Sequence, residues 1–318
     1  MPALIFAIIL AVILFVFINV LIMAHFGYVY TFKVKNRNPD PYRVVREGDP
    51  KAEFRRELAD KILKEDFTDI FIRSHDGLTL RGRMKIVKEG APFAIMCHGY
   101  RSSPLIDFSG IAPLVMDLGF NVILIDQRAH GMSEGKCLTF GIRESRDAAD
   151  WARYVEEHYG QDVILFGVSM GAATVLMSSG LPDLPKCVKG VFADCPFSSA
   201  KGIMQKEMTS RGLGNPKLLY AFTKLGARIF GGFNPDDSRP IDSIMNANVP
   251  IELVHGECDT FVPYYMSDEM HKAAGIPLHS FKEATHGTAF VHEPERYREI
   301  VESFCKRCLE KDKTEKEI

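Results

Sequence analysis

Gly167-Val168-Ser169-Met170-Gly171 sets a serine midway between two glycines, the pattern G-x-S-x-G. A strand-like apolar run, residues 162–166, precedes it, and a helix-like run, residues 172–179, follows. Strand, sharp turn and helix in that order hold a serine hydroxyl exposed at the tip of the turn, with a helix amino terminus behind it. The glycines allow a turn too tight for side chains. The pentapeptide alone is a weak signal; its strand–turn–helix setting makes it informative.

A serine hydroxyl is a poor nucleophile until a base takes its proton. Among ten histidines, His286 in Ala284-Thr285-His286-Gly287 lies just past the last strand-like run and before the last helix-like one. His292 is the nearest rival, but it stands at a helix start. An imidazole base needs a carboxylate that fixes its tautomer and stabilises its charged form. Asp259 follows the penultimate strand-like run; Glu257 is an alternative acid and Asp194 a weaker one. These residue types support acyl transfer through a tetrahedral intermediate and an acyl-enzyme. The oxyanion of that intermediate needs two N–H donors. Met170, next to the serine, supplies one; Tyr100, in the loop after the first parallel strand, supplies the other.

These residues need elements to position them. Residues 67–73 and 78–87, joined through Asp76-Gly77, read as a hairpin. Apolar runs without alternation at 93–97, 121–125, 163–166, 188–193, 251–254 and 278–281 suit strands buried on both faces. Helix-like stretches at 104–118, 142–159, 170–179, 264–274 and 292–309 lie between and after them. The alternation predicts an α/β fold whose mostly parallel, eight-stranded sheet is wrapped by helices on both faces. The interval 197–249 has no strand-like run. It carries Met204, Met208, Leu213, Leu218, Leu219 and Phe222, and is expected to form a small helical cap.

With these pieces in view, the chain resembles the α/β-hydrolase superfamily across roughly residues 67–309. The resemblance rests on Cys97-His98-Gly99-Tyr100, on Asp126-Gln127-Arg128-Ala129-His130-Gly131-Met132-Ser133-Glu134-Gly135, on the pentapeptide at 167–171, on residues 255–263 and on Thr285-His286-Gly287. Within the superfamily it looks like membrane-anchored bacterial serine hydrolases near the serine aminopeptidase and acyl-esterase branches. The chain order Ser169, Asp259, His286 is the order that fold uses. The resemblance also implies that residues 126–135 form a structural loop outside the triad. His130 then reads as a hydrogen-bonded loop residue, and His98 as shaping the oxyanion loop.

The amino-terminal segment follows a different logic. Residues 1–32 contain no Asp, Glu, Lys or Arg, and residues 3–24 are apolar except for Asn19. As a helix that run is about 33 Å long, against a hydrocarbon core of about 30 Å. Phe26, Tyr28, Tyr30 and Phe32 follow, then Lys33, Lys35 and Arg37, the order a membrane–water boundary favours. A cleaved signal peptide would have a basic start, a shorter apolar stretch and a small-residue cleavage site, so a retained single-pass anchor is expected. The positive flank after the span puts the following domain in the cytoplasm. The expected organisation is an anchor at 1–32, a polar connector with a short amphipathic helix at 33–65, the hydrolase domain at 66–311 with its cap at 197–249, and a charged tail at 312–318.

Composition removes other classes. The 318 residues carry a net charge of −2, so nucleic acid is not an expected partner. Seven cysteines scattered through a long chain do not form a disulfide scaffold. Cys305 and Cys308 have no second ligand pair at a zinc spacing, and no nucleotide-binding glycine motif appears, so neither metal nor cofactor is expected. The expected function is a serine hydrolase acting on an ester or related acyl bond. The apolar cap and the anchor favour an apolar acyl substrate, lipid-derived ones among them. A peptidase or amidase of the same fold, an acyltransferase, and a non-catalytic scaffold at the membrane are the alternatives.

Overall fold

Strands β3 (Phe93–Cys97), β4 (Asn121–Ile125) and β5 (Val163–Val168) are buried at every position, which is why their sequences run apolar without alternation. They belong to a computed structural model that describes residues 1–44 and 50–315. The connector residues 45–49 and the tail residues 316–318 lie outside the described residues. The antiparallel hairpin β1 (Thr68–Arg73) and β2 (Thr79–Lys85) turns at Gly77, whose φ of +84° suits glycine. β6 (Val188–Asp194), β7 (Ile251–Gly256) and β8 (Leu278–Phe281) complete one eight-stranded sheet of order β1-β2-β4-β3-β5-β6-β7-β8. All pairings from β4 to β8 are parallel.

The helices are α1 (Pro2–Phe32), α2 (Ala52–Leu63), α3 (Pro104–Asp107), α4 (Ile111–Asp117), α5 (Glu144–Tyr159), α6 (Met170–Ser179), α7 (Ala200–Ser210), α8 (Pro216–Gly226), α9 (Pro240–Ile244), α10 (Tyr265–Ala274), α11 (Ala289–His292) and α12 (Pro294–Glu315). On one face of the sheet α4, α11 and α12 pack with Ile62 of α2 around Phe166, Phe192 and Phe281. On the other, α5, α6 and α10 pack around Ile95, Ile123 and Leu165, with Trp151 fully buried. Each such large apolar side chain contributes about 1.5–3 kcal/mol on burial.

Two expected helices are broken. Residues 104–118 form α3 and α4, and Gly110 at the start of α4 faces the ring of Phe290, where a Cβ would come within 2.2 Å of ring carbon Cε1. Residues 292–309 are interrupted before Pro294: Glu293, at φ −134° and ψ 70°, lies outside the helical region that a following proline disfavours, and α12 then runs on to Glu315. The interval 197–249 contains no strand. It holds α7, α8, a π turn at Ala227–Gly231 and α9.

Helix α1 is long and apolar enough to cross a membrane. Its first two-thirds are exposed, but Ala24, Tyr28 and Phe32, one stripe at four-residue spacing, are buried against the domain. The contact is with α8, backbone to backbone. A Cβ on Gly226 would lie 2.0 Å from the Ala24 carbonyl oxygen, and one on Gly27 would lie 2.9 Å from Thr223 Oγ1. Small residues allow this close approach of two helices. Phe32 then packs edge-on against Phe140 and Phe233 in a third apolar cluster that reaches Met170.

Candidate active site

β5 ends at Val168, and α6 begins at Met170, leaving Ser169 alone in the turn with φ +57° and ψ −117°. That conformation is costly for a residue with a side chain, and its surroundings enforce it. The Ser169 N–H donates to the Asp194 carbonyl at 2.8 Å. Gly171 lies so close to β3 that a Cβ would sit 1.8 Å from the Cys97 carbonyl oxygen, and a Cβ on Gly167 would sit 2.3 Å from the Gly171 carbonyl oxygen. The two glycines of the pentapeptide are therefore required by close approach on both sides of the serine.

The Ser169 hydroxyl is 2.8 Å from His286 Nε2, and His286 Nδ1 is 2.7 Å from Asp259 Oδ2. His286 comes from the loop after β8 and Asp259 from the loop after β7. The other Asp259 oxygen accepts the N–H groups of Phe261 and Val262 at 2.8 and 2.9 Å. His255, at the end of β7, sits behind the carboxylate. Its Nε2 is 2.8 Å from the Val262 carbonyl and 3.3 Å from Asp259 Oδ2, and its Nδ1 is 2.6 Å from the Ser267 hydroxyl. Burial alone would raise the Asp259 pKa. The hydrogen bonds with His255 and His286 outweigh it and hold the carboxyl well below the usual carboxylate range. Asp259 is thus an anion aimed at one nitrogen of His286, leaving the other to face the serine.

The alternatives stand elsewhere. Glu257 is exposed and accepts from the Ser280 hydroxyl. Asp194 is buried below the serine, holds the Tyr297 hydroxyl at 3.0 Å, and is pushed up to about 6 by burial. His292 lines the same cavity as Ser169 without bonding to it. His130 is buried on the Arg128 carbonyl, edge-on to His98. His98 Nδ1 is 2.9 Å from the Gly99 carbonyl, and its Nε2 accepts from the Gln127 N–H at 3.2 Å, so it is a neutral imidazole that shapes the loop. Burial lowers its pKa well below the ordinary value. The 126–135 loop is pinned by Arg128, whose guanidinium makes two 2.6 Å bonds to the buried Asp147 carboxylate.

Tyr100 and Met170 both reach the space beside Ser169. Among the described residues neither backbone N–H has a hydrogen-bond acceptor, so both are available to an oxyanion. Three features of this loop lie outside the motifs. Asp107 accepts the Gly99 N–H and the Ser102 hydroxyl, both at 2.6 Å, and fixes the loop from inside. The Tyr100 hydroxyl donates to the Thr31 carbonyl at 2.8 Å. Arg101, at φ +50°, turns its guanidinium onto the end of α1. Only the position of Asp107 just after a Ser-Ser-Pro helix start hinted at its part; nothing near Tyr100 pointed to residue 31.

The comparisons agree with this architecture. A family model described as "Alpha/beta hydrolase family" matches residues 94–302, more than half of the chain. The Bacillus subtilis protein YqkD is 24% identical over 249 residues, covering 74% of this chain and 78% of that protein. Thiohydrolase aneE of Aspergillus aculeatus is 27% identical over 142 residues, 43% of this chain and 44% of its own length, so this chain spans less than half of it. In fold, the Pyrococcus furiosus esterase Pf2001 superposes with a TM-score of 0.64 at 24% identity, over 86% of this chain and 98% of that one.

Proposed function

Given that the chain belongs to the alpha/beta-hydrolase family and is a hydrolase, we propose that it cleaves carboxylic esters or thioesters of apolar acyl groups through Ser169, His286 and Asp259. The observation that carries this reading is the unbroken chain of short contacts, 2.8 Å from Ser169 to His286 and 2.7 Å from His286 to Asp259. In the first step the Ser169 oxygen attacks the acyl carbon while His286 Nε2 takes the hydroxyl proton. The oxyanion that forms is held by the Tyr100 and Met170 N–H groups. The bond to the leaving oxygen or sulfur then breaks, and the leaving group takes the proton from His286. Water repeats the sequence in reverse roles, releasing the acid and free serine. Asp259 stays ionised throughout and stabilises the imidazolium.

A thiohydrolase among the relatives supports the thioester side of this substrate class, and an esterase of the same fold supports the ester side. Helix α1 is proposed as a retained anchor, because the domain buries the Ala24, Tyr28 and Phe32 stripe at its end. Lys33, Lys35 and Arg37 after it favour a cytoplasmic domain.

The test is a fluorophosphonate probe on the full chain in detergent micelles. Labelling is expected in the wild type and absent in Ser169→Ala. A folded wild-type chain that stays unlabelled, or a Ser169→Ala chain that labels equally, overturns the assignment.

A further inference from the structure

Ser169 stands between two cavities of unlike chemistry. The larger, about 1070 Å³, is the more polar of the two, with Arg43, Asp107, Glu283 and His292 among the residues that line it. The smaller, about 310 Å³, is walled by Ile203, Met204 and Met208 of α7, Leu219 and Phe222 of α8, and Met23, Phe26 and Gly27 of α1. One wall of the apolar cavity is therefore the same helix that carries the apolar span.

We propose that this cavity holds the acyl chain of a bilayer-resident ester, which reaches Ser169 from the lipid along α1, while the larger, more polar cavity takes the leaving group. The proposal rests on the hydrolase reading above and names its substrate class.

The height of the cavity supports a lipid-side entry. The apolar run from Leu4 to Ile22 is almost entirely exposed. At 1.5 Å per residue these positions span about 28 Å, close to the hydrocarbon thickness of about 30 Å. Met23, Phe26 and Gly27 are the next positions along the helix, so the cavity wall begins where the hydrocarbon ends. An acyl chain whose ester group lies at this level needs little displacement from the bilayer to enter.

The surface beside α1 agrees. Leu213, Leu218, Ile229 and Phe230, on and around α8, are 47%, 55%, 50% and 41% exposed. Phe230 continues directly onto α1, with its ring edge-on to His25 at 4.8 Å and 5.9 Å from Tyr28. Lys217 and Arg228 stand exposed among these apolar residues. Apolar side chains fringed by cations are the composition of a surface that lies in the membrane interface. This face is continuous with the span, so immersing one places the other, and the mouth of the apolar cavity, at the lipid boundary.

The experiment uses the full chain in phosphatidylcholine vesicles with a long-chain alkyl fluorophosphonate that carries a diazirine near the chain end. The Ser169 oxygen forms a bond to phosphorus, fluoride leaves, and light then cross-links the chain end to whatever it touches. Cross-links are expected on peptides of α1 around Met23 and on those of α7 and α8. Cross-links confined to α2 or to the Phe290 side overturn the proposal while leaving the hydrolase reading intact. Absence of Ser169 labelling overturns the hydrolase reading and this one with it. As a second measurement, Met23→Trp and Met208→Trp are expected to lower the palmitate-to-butyrate rate ratio at least tenfold; an unchanged ratio in both variants counts against the cavity as the acyl site.

Discussion

Arg101 donates from a single guanidinium nitrogen to the carbonyl of Tyr30 at 2.5 Å, and from the same nitrogen to Lys33 at 2.7 Å. Carbonyls at a helix carboxyl end lack partners within the helix and carry partial negative charge, so a cation there satisfies both needs. The loop that carries the proposed oxyanion donor Tyr100 is thereby fastened to the last turn of α1. Arg101→Gln is expected to lower kcat on a short-chain ester by about ten- to a hundredfold, with KM little changed, because a donor displaced by a fraction of an ångström stabilises the transition state less. Arg101→Lys should recover part of the loss. Steady-state kinetics on the full chain decide the matter; an unaltered kcat would mean the loop holds its shape without α1.

Removing a member of the Ser169–His286–Asp259 chain should not act additively. Ser169→Ala and His286→Ala are each expected to reduce turnover by about 10⁴ or more, and the double variant by no more than either alone. Asp259→Asn should lose up to about 10⁴ in kcat, since an amide favours the wrong tautomer of His286. Single- and double-variant turnover on one ester is the check, and independent, multiplying losses would contradict a concerted role.

Asp259 and Asp194 make different contacts near Ser169, one with His286 and the other with Tyr297, and should titrate with opposite effects on stability. The Asp259 carboxyl is held below its unfolded value, so its contribution is complete above about pH 4 and is lost as the pH falls from there. Asp194 is pushed up to about 6 by burial, and one of its oxygens has no partner among the described residues. Its folded form holds a proton more tightly than the unfolded chain, so its contribution declines as the pH rises from about 4 through about 6. The melting temperature of Asp259→Asn should fall furthest below wild type near neutral pH and approach it in acid. The difference for Asp194→Asn should move in the variant's favour between acid and neutral pH. Thermal melts across this range test both signs.

Gly171→Ala should destroy the turn itself. Its Cβ would lie 1.8 Å from a carbonyl oxygen in the central strand, a clash no rotamer relieves. Displacement of β3 or α6 is expected to destabilise the chain by about 1–3 kcal/mol and to abolish fluorophosphonate labelling even where protein is recovered. Normal labelling would show that the turn tolerates a side chain there.

Much of this architecture is legible in the residues alone, for a physical reason. Parallel strands covered on both faces must be apolar throughout, so β3 to β7 stand out as runs, and the glycines around Ser169 mark a turn that only they can make. The three side chains singled out by spacing meet because each lies in a loop after a strand, and parallel strands deliver those loops to one edge. The part that spacing did not disclose arises from contacts between distant segments. Arg101 meets Tyr30 across 71 positions and Tyr100 meets Thr31 across 69. Gly110 likewise meets a distant ring, Phe290 of α11, whereas the break before Pro294 is a local signal that the proline itself carries.

The uninterrupted helix from Pro2 to Phe32, clamped at its far end by Gly226, Arg101 and the Tyr100 hydroxyl, behaves as a strut and not as a leash. A flexible tether would let the domain sample a hemisphere of orientations and collide with substrate by chance. A strut fixes the position of Ser169 relative to the axis of α1, and so, on the anchor reading proposed above, its height over the bilayer. For the membrane-anchored form and bilayer-resident ester proposed above, encounter then becomes a two-dimensional search, with rate set by surface density in the membrane and not by bulk concentration.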